Sequence, residues 1–282
     1  MTDYAYRLLN VFTLGRDRLS GNPLCVFEDG RGLEDETMRA LARQFNLSET
    51  TFIFPSEKAS AAVRIFTPNY EMPFAGHPTL GTAHVVRALR GGSDPVTLEM
   101  KAGVIPVTAE GDHWTLEANA PRYREVDATP AQLAEMLGLP ADDVLDGPRW
   151  VNTGSAQLVI PLRSPEAVSR GQPVLSLLKR YGCVNEDRYL AYVFADTGGG
   201  SVRARFFFPK GTAIAEDPAT GSACANLGGW FLAREAALPL TRVIRQGDEV
   251  GRPSRLILRV DGERRIFVSG QVVELGRGVI AL

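Results

Sequence analysis

Two short turns hold the residue types most able to do chemistry. They are Gly76-His77-Pro78-Thr79 and Asp217-Pro218-Ala219-Thr220-Gly221-Ser222. Each is polar, built of small residues, and placed to open a helix. A helix start leaves backbone N–H groups without helical partners, and the helix dipole adds partial positive charge there. A carboxylate or phosphate is the natural ligand of such a turn. Gly221 lets a backbone approach closely, and the Ser222 hydroxyl adds a donor. The simpler alternative is helix capping by Thr79, Thr220 or Ser222. His77 brings a group that exchanges protons near neutral pH. Asp217 precedes a proline, so its backbone favours extended geometry just ahead of the helix, where the dipole favours a carboxylate.

Glu49 is the third candidate, in Asn46-Leu-Ser-Glu-Thr-Thr-Phe52. Apolar neighbours at Leu47 and Phe52 would raise its pKa and make it a general acid/base. The spacing alone allows a solvated loop acid equally well. Other chemistries find less support. No Gly-x-Ser-x-Gly elbow, P-loop or dinucleotide loop is present. Cys25, Cys183 and Cys224 are too few and too scattered for a disulfide scaffold or zinc site, and each reads as a small buried hydrophobe. His77 and His84 are seven apart, whereas helical metal pairs usually stand four apart. His84 and His113 read as packing or surface residues.

The elements that must position these groups alternate in short pieces. Strands are expected at 4–13, 22–27, 50–54 and 63–66, and helices at 33–45 and 78–89. In the first helix Met38, Leu41, Ala42 and Phe45 carry the amphipathic spacing, and Asn46 suits its end. Short strands follow through residues 96–118. Thr129 and Pro130 begin a helix to 137, residues 151–162 read as strand, and 174–181 as helix. Strands at 189–194 and 202–208 flank a turn containing Gly198-Gly-Gly200. A small, apolar helix spans 219–234, and the tail from 243 to 280 reads as short strands with an Asp261-Gly262 hairpin. This is an α+β pattern.

Part of the chain repeats. Arg64, Phe66, Pro68 and Thr79 recur as Arg205, Phe207, Pro209 and Thr220, an offset of 141 residues (205 minus 64). Chance would give about one identity over the twenty positions 64–83. In both copies a strand ends at proline, an eight-residue loop follows, and a small-residue helix begins. The repeat therefore gives content to a length of 282 residues, which by itself suits two domains. With 31 basic and 33 acidic residues the net charge is −2, and no basic run suggests nucleic acid or anionic lipid as a partner. No apolar stretch is long enough to span a membrane and no signal peptide opens the chain, so a cytoplasmic protein is expected.

Five segments together resemble the phenazine-biosynthesis PhzF family, which has the diaminopimelate epimerase-like fold. They are Gly21-Asn22-Pro23-Leu24, residues 46–52, Arg64-Ile-Phe-Thr-Pro68, Pro73-Phe-Ala-Gly-His-Pro-Thr-Leu-Gly-Thr82 and Glu216-Asp-Pro-Ala-Thr-Gly-Ser-Ala223. The resemblance implies two similar lobes related by a pseudo-twofold duplication, each a curled sheet around a central helix, with the active site between them. The lobes would be residues 1–118, with a last strand at about 270–282 returning to them, and residues 119–269. It also implies a homodimer that needs neither cofactor nor metal. Its best-known member isomerises trans-2,3-dihydro-3-hydroxyanthranilate by moving a proton along a cyclic diene. Glu49 would then be the proton shuttle. His77 and Asp217 would orient the substrate or relay protons, and Asn22, Gly76, Gly221 and Ser222 would bind a small carboxylic acid. Epimerases of this fold use two cysteines at the helix starts. Here Gly76 and Asp217 stand near those places, which disfavours a two-thiol racemase. Two alternatives remain: an epimerase using carboxyl groups in place of thiols, and a non-catalytic protein that binds small acids. The charged segment Leu14-Gly-Arg-Asp-Arg-Leu-Ser20 departs from the family pattern and is expected to border the site.

Overall fold

The first strand, β1 (Asp3–Val11), pairs antiparallel with β2 (Asn22–Phe27), Leu8 lying opposite Cys25. The turn between them needs glycine at position 21. Its φ is +84°, and a Cβ there would fall 2.6 Å from the Val11 carbonyl oxygen. β2 then runs parallel to β3 (Glu49–Phe54), which requires a crossover. Helix α1 (Asp35–Phe45) provides it and ends at Asn46 in the left-handed conformation, φ 50°. Met38, Leu41 and Ala42 of α1 pack with Tyr4, Cys25, Phe27, Phe52 and Phe66 into one buried cluster, where the Phe27 and Phe52 rings stack at 4.8 Å. The computed structural model describes residues 1–15, 17–92, 95–186 and 188–282.

β3 pairs antiparallel with β4 (Ala61–Phe66), which turns back into the short β5 (Glu71–Met72). Helix α2 (Gly76–Leu89) carries the chain across to β6 (Val96–Met100), parallel to β4. β7 (Gly103–Glu110) and β8 (His113–Glu117) follow as antiparallel neighbours. The C-terminal strand (Ile266–Ala281) pairs with β1, from Asp3 opposite Ala281 to Val11 opposite Val272, and also with β8. Eight strands thus close into a barrel. Helix α2 packs against β1, β2, β3, β6 and β8, with Leu80, Ala83, Val85 and Val86 buried. A helix this apolar on every side belongs inside a core. These elements form one unit, Met1–Glu117 with Ser269–Leu282.

The second unit is Ala118–Val268. Its elements are β9 (Arg122–Arg124), α3 (Pro130–Met136), β10 (Arg149–Asn152), β11 (Ala156–Pro161), α4 (Pro165–Arg170) and α5 (Leu175–Tyr181). They continue with β12 (Cys183–Asn185), β13 (Arg188–Tyr189), β14 (Ala191–Gly198), β15 (Ser201–Lys210), β16 (Ala213–Asp217), α6 (Gly221–Ala233), β17 (Leu240–Gln246) and β18 (Ser254–Val260). β10 and β11 are antiparallel, β11 and β14 parallel, β14 and β15 antiparallel. β15 turns back into β16, and also lies parallel to β17, which pairs antiparallel with β18. That order of pairings repeats β1 through β7. Helix α6 packs against β10, β11 and β18. The fold is α+β and diaminopimelate epimerase-like.

Several expectations hold in detail. Thr129 caps α3 in a capping box with Gln132, Gly198 to Gly200 all take positive φ between β14 and β15, and Asp261 accepts from the Glu263 and Arg265 amides in the last hairpin. Others are corrected. The loop expected after Pro209 is a hairpin strand, β16, bonded to β15 from Lys210 to Phe206. α2 starts two residues before the expected Pro78 and α6 two after the expected Ala219, so the helix starts lie 145 residues apart (221 minus 76), four more than the sequence offset. The strand expected over 151–162 is two strands with a turn at 153–155, and α4, capped by Ser164, was not foreseen. Among the described residues no helix is long and apolar enough to cross a membrane.

Candidate active site

Glu49 opens β3, and His77 is the second residue of α2. The central helix begins beside this strand, and the two side chains meet there. His77 Nε2 lies 3.4 Å from Glu49 Oε2, with side-chain exposures of 6% and 15%. Asn22, the first residue of β2, sets its amide nitrogen 3.4 Å from His77 Nδ1. Burial pushes the His77 pKa down to about 3, while a hydrogen bond with the Pro23 backbone works weakly the other way. The ring is therefore neutral at pH 7. A neutral imidazole against a half-buried carboxyl can pass or receive one proton without creating an isolated buried charge.

Asp217 ends β16, four residues ahead of α6. Thr220 Oγ1 donates to Asp217 Oδ2 at 2.6 Å, and Gln246 Nε2 donates to both the Asp217 carbonyl (2.8 Å) and Thr220 Oγ1 (3.0 Å). Gln246 is fully buried at the end of β17. Gly247 follows it with φ +85°, and a Cβ there would fall 2.5 Å from the Pro218 carbonyl oxygen, so the backbone itself buttresses the turn. Ser222, the second residue of α6, accepts from Gln157 Nε2 at 2.8 Å.

Capping does not explain these turns. The residue before α2 is Ala75, and neither it nor Thr220 before α6 makes a side-chain capping bond. The Thr79 hydroxyl donates to the Ala75 carbonyl at 2.7 Å, Thr220 serves Asp217, and Ser222 serves Gln157. The hydroxyls that looked like caps are committed elsewhere. Gly76 and Gly221 are the first helical residues of α2 and α6, where backbone N–H groups point out of the helix.

Within the first unit, then, Glu49, His77 and Asn22 come together; within the second, Asp217 gathers Thr220 and Gln246, and Ser222 gathers Gln157. Sequence reasoning missed Gln246 and Gln157, and also Asn226, which donates to Gln157, and Thr153, which donates to Asn226. Asn226 left one signal: it is the lone polar side chain of α6 beyond its first turn. His84 is half-buried and accepts from the Trp114 indole at 3.3 Å, and His113 is exposed, as packing and surface roles require. Cys25 and Cys224 are buried, and burial pushes both thiols up, away from the thiolate a thiol base needs. Among the described residues no group of three or more His, Cys, Asp or Glu is gathered to hold a metal. Of the charged segment, Ser20 Oγ accepts from the Leu14 amide at 2.7 Å, Asn10 donates to the Arg18 carbonyl at 2.7 Å, and Arg18 donates to the Glu274 carbonyl at 2.5 Å. Arg16 lies outside the described residues.

Comparison with known proteins adds to this geometry. Residues 9–278 match the family described as phenazine biosynthesis-like protein. An uncharacterized isomerase of Pasteurella multocida is 40% identical over 281 residues, covering 99% of this chain and 94% of the other. A trans-2,3-dihydro-3-hydroxyanthranilate isomerase of Pseudomonas aeruginosa is 35% identical over 270 residues, covering 91% of each. The crystal structure of a Bacillus anthracis PhzF-family protein shares the fold, with a TM-score of 0.84 over all of both chains at 24% identity.

Proposed function

The chain belongs to the phenazine biosynthesis-like protein family, whose members include isomerases, and on that premise we propose a cofactor-independent isomerase of a small carboxylic acid. Glu49 takes a proton from one carbon of the bound acid and returns it to another. His77 holds the carboxyl and accepts or gives the transient proton. Asp217 orients the substrate, and Asn22 and Ser222, with the backbone N–H groups at Gly76 and Gly221, bind its carboxylate or the enolate-like oxygen that develops. Such donors stabilise an oxyanion best when already fixed in place.

The observation that supports this most is the 3.4 Å approach of a neutral buried imidazole to the Glu49 carboxyl. The high thiols of Cys25 and Cys224 argue against thiol epimerase chemistry. The related isomerase named above suggests a dihydro-hydroxyanthranilate or similar cyclic acid as the first substrate to try.

The test is Glu49→Gln, assayed for solvent deuterium entering trans-2,3-dihydro-3-hydroxyanthranilate. Exchange should fall about 10²–10⁴-fold, the usual worth of a general acid/base. Exchange at the wild-type rate removes Glu49 from the shuttle role. Ultraviolet absorbance in the same assay reports a double-bond shift, whereas an epimerase would change optical rotation alone.

A further inference from the structure

Ser222 stands at the end of a buried chain of side chains with only one possible polarity. The Thr153 backbone N–H, a donor without ambiguity, reaches Asn226 Oδ1 at 2.9 Å, and the Thr153 hydroxyl donates to the same oxygen at 2.7 Å. The Ser155 carbonyl, an acceptor without ambiguity, receives Asn226 Nδ2 at 2.8 Å. Two backbone groups therefore fix which end of the Asn226 amide is oxygen. Asn226 Nδ2 also donates to Gln157 Oε1 at 2.8 Å, which turns Gln157 Nε2 to Ser222 Oγ, again at 2.8 Å. Asn226 is 0% exposed and Gln157 1%, so water does not compete for these bonds.

An amide nitrogen cannot accept a hydrogen bond, so Ser222 must accept from Gln157. Its own proton then has to leave in another direction, and no described residue accepts it. From this geometry we infer that Gln157, held by Asn226 and Thr153, is a positioning residue that locks Ser222 as a hydrogen-bond donor and thereby selects an anionic or carbonyl oxygen of the ligand at the start of α6. Building on the proposed function, this names the part of the acid that the Ser222 proton reads: an oxygen acceptor, the carboxylate above all.

Two measurements test it. The first needs no substrate. In a Cys183→Ser background, Ser222→Cys places a thiol at the end of the chain, and its pKa is read from the pH dependence of iodoacetamide alkylation. The Gln157 N–H stabilises the thiolate, so adding Gln157→Leu should raise that pKa and slow alkylation at pH 7 by about tenfold. An unchanged pKa overturns the inference. The second is calorimetric binding of anthranilate. Gln157→Leu and Ser222→Ala should each weaken it by about tenfold, and together by no more than either alone, because both remove one donor. Gln157→Glu, which still offers Asn226 an acceptor, should bind like the wild type while its carboxyl is protonated and lose affinity as rising pH ionises it and draws the Ser222 proton inward. A wild type that binds anthranilate, with Gln157→Leu unaltered, also overturns the inference. A wild type that ignores anthranilate counts against the proposed acid alone, and the thiol measurement still decides the role of Gln157.

Discussion

At the scale of single residues, His77 links the site to the stability of the fold. Its pKa is about 3 in the folded protein against an ordinary 6.5. Between those values the unfolded chain binds the proton and the native state does not. Stability is therefore fully present above pH 6.5 and is lost as the pH falls toward 3. From pH 7 to pH 5 the wild type should lose up to about 2 kcal/mol more than His77→Gln, at 1.36 kcal/mol per pKa unit. Urea unfolding of both proteins at the two pH values measures this. Equal losses would mean that the ring is charged, or solvated, in the native state. The residue types at Glu49, His77 and Asp217 were readable from their local settings. The buried amides behind Asp217 and Ser222 were not: Gln246 holds the Asp217 turn, Gln157 and Asn226 stand behind Ser222, all come from elements remote in sequence or from inside a helix, and a buried amide carries no local pattern.

At the scale of elements, each central helix is admitted to its unit by small residues. Gly229 of α6 shows the constraint: an added Cβ would lie 2.7 Å from Val151 Cγ1 and 2.9 Å from Pro121 Cβ. A β-branched side chain on a strand and a proline ring have little room to yield. Gly229→Ala should destabilise by about 1–3 kcal/mol, despite the better helix propensity of alanine. Chemical denaturation measures it, and a neutral or stabilising result would show that the helix shifts freely in its unit. The repeated arginines find their reason here too. Arg64 pairs with Glu71 of its own hairpin and lies 5.1 Å from the Phe66 ring; Arg205 pairs with Glu216 of its hairpin and lies 4.6 Å from the Phe207 ring. Both pairs tie a strand to the return strand that leads into the helix. Periodicity revealed α1 because its apolar stripe is one-sided. It missed β16 because Ala213–Asp217 has no alternation of its own and becomes a strand only by bonding to β15.

At the scale of the whole chain, the same succession of antiparallel and parallel pairings occurs in Met1–Glu117 and in Ala118–Val268. A duplicated ancestor accounts for this more simply than two independent origins. The homodimer implied by family resemblance is a proposal for this chain. Light scattering at micromolar concentration should give twice the 30.7 kDa chain mass, and a monomer mass would refute it. The sequence by itself determined most of the element types, the repeat, the family and the three acid/base candidates, since helix stripes, turn chemistry and matched motifs are local properties. Only the tertiary structure decided that Glu49 and His77 face each other, that the threonines do not cap their helices, and that Ser222 accepts from Gln157. Those are relations between groups that the chain brings together from distant positions, and a hydrogen bond's direction is fixed by the partner it meets after folding.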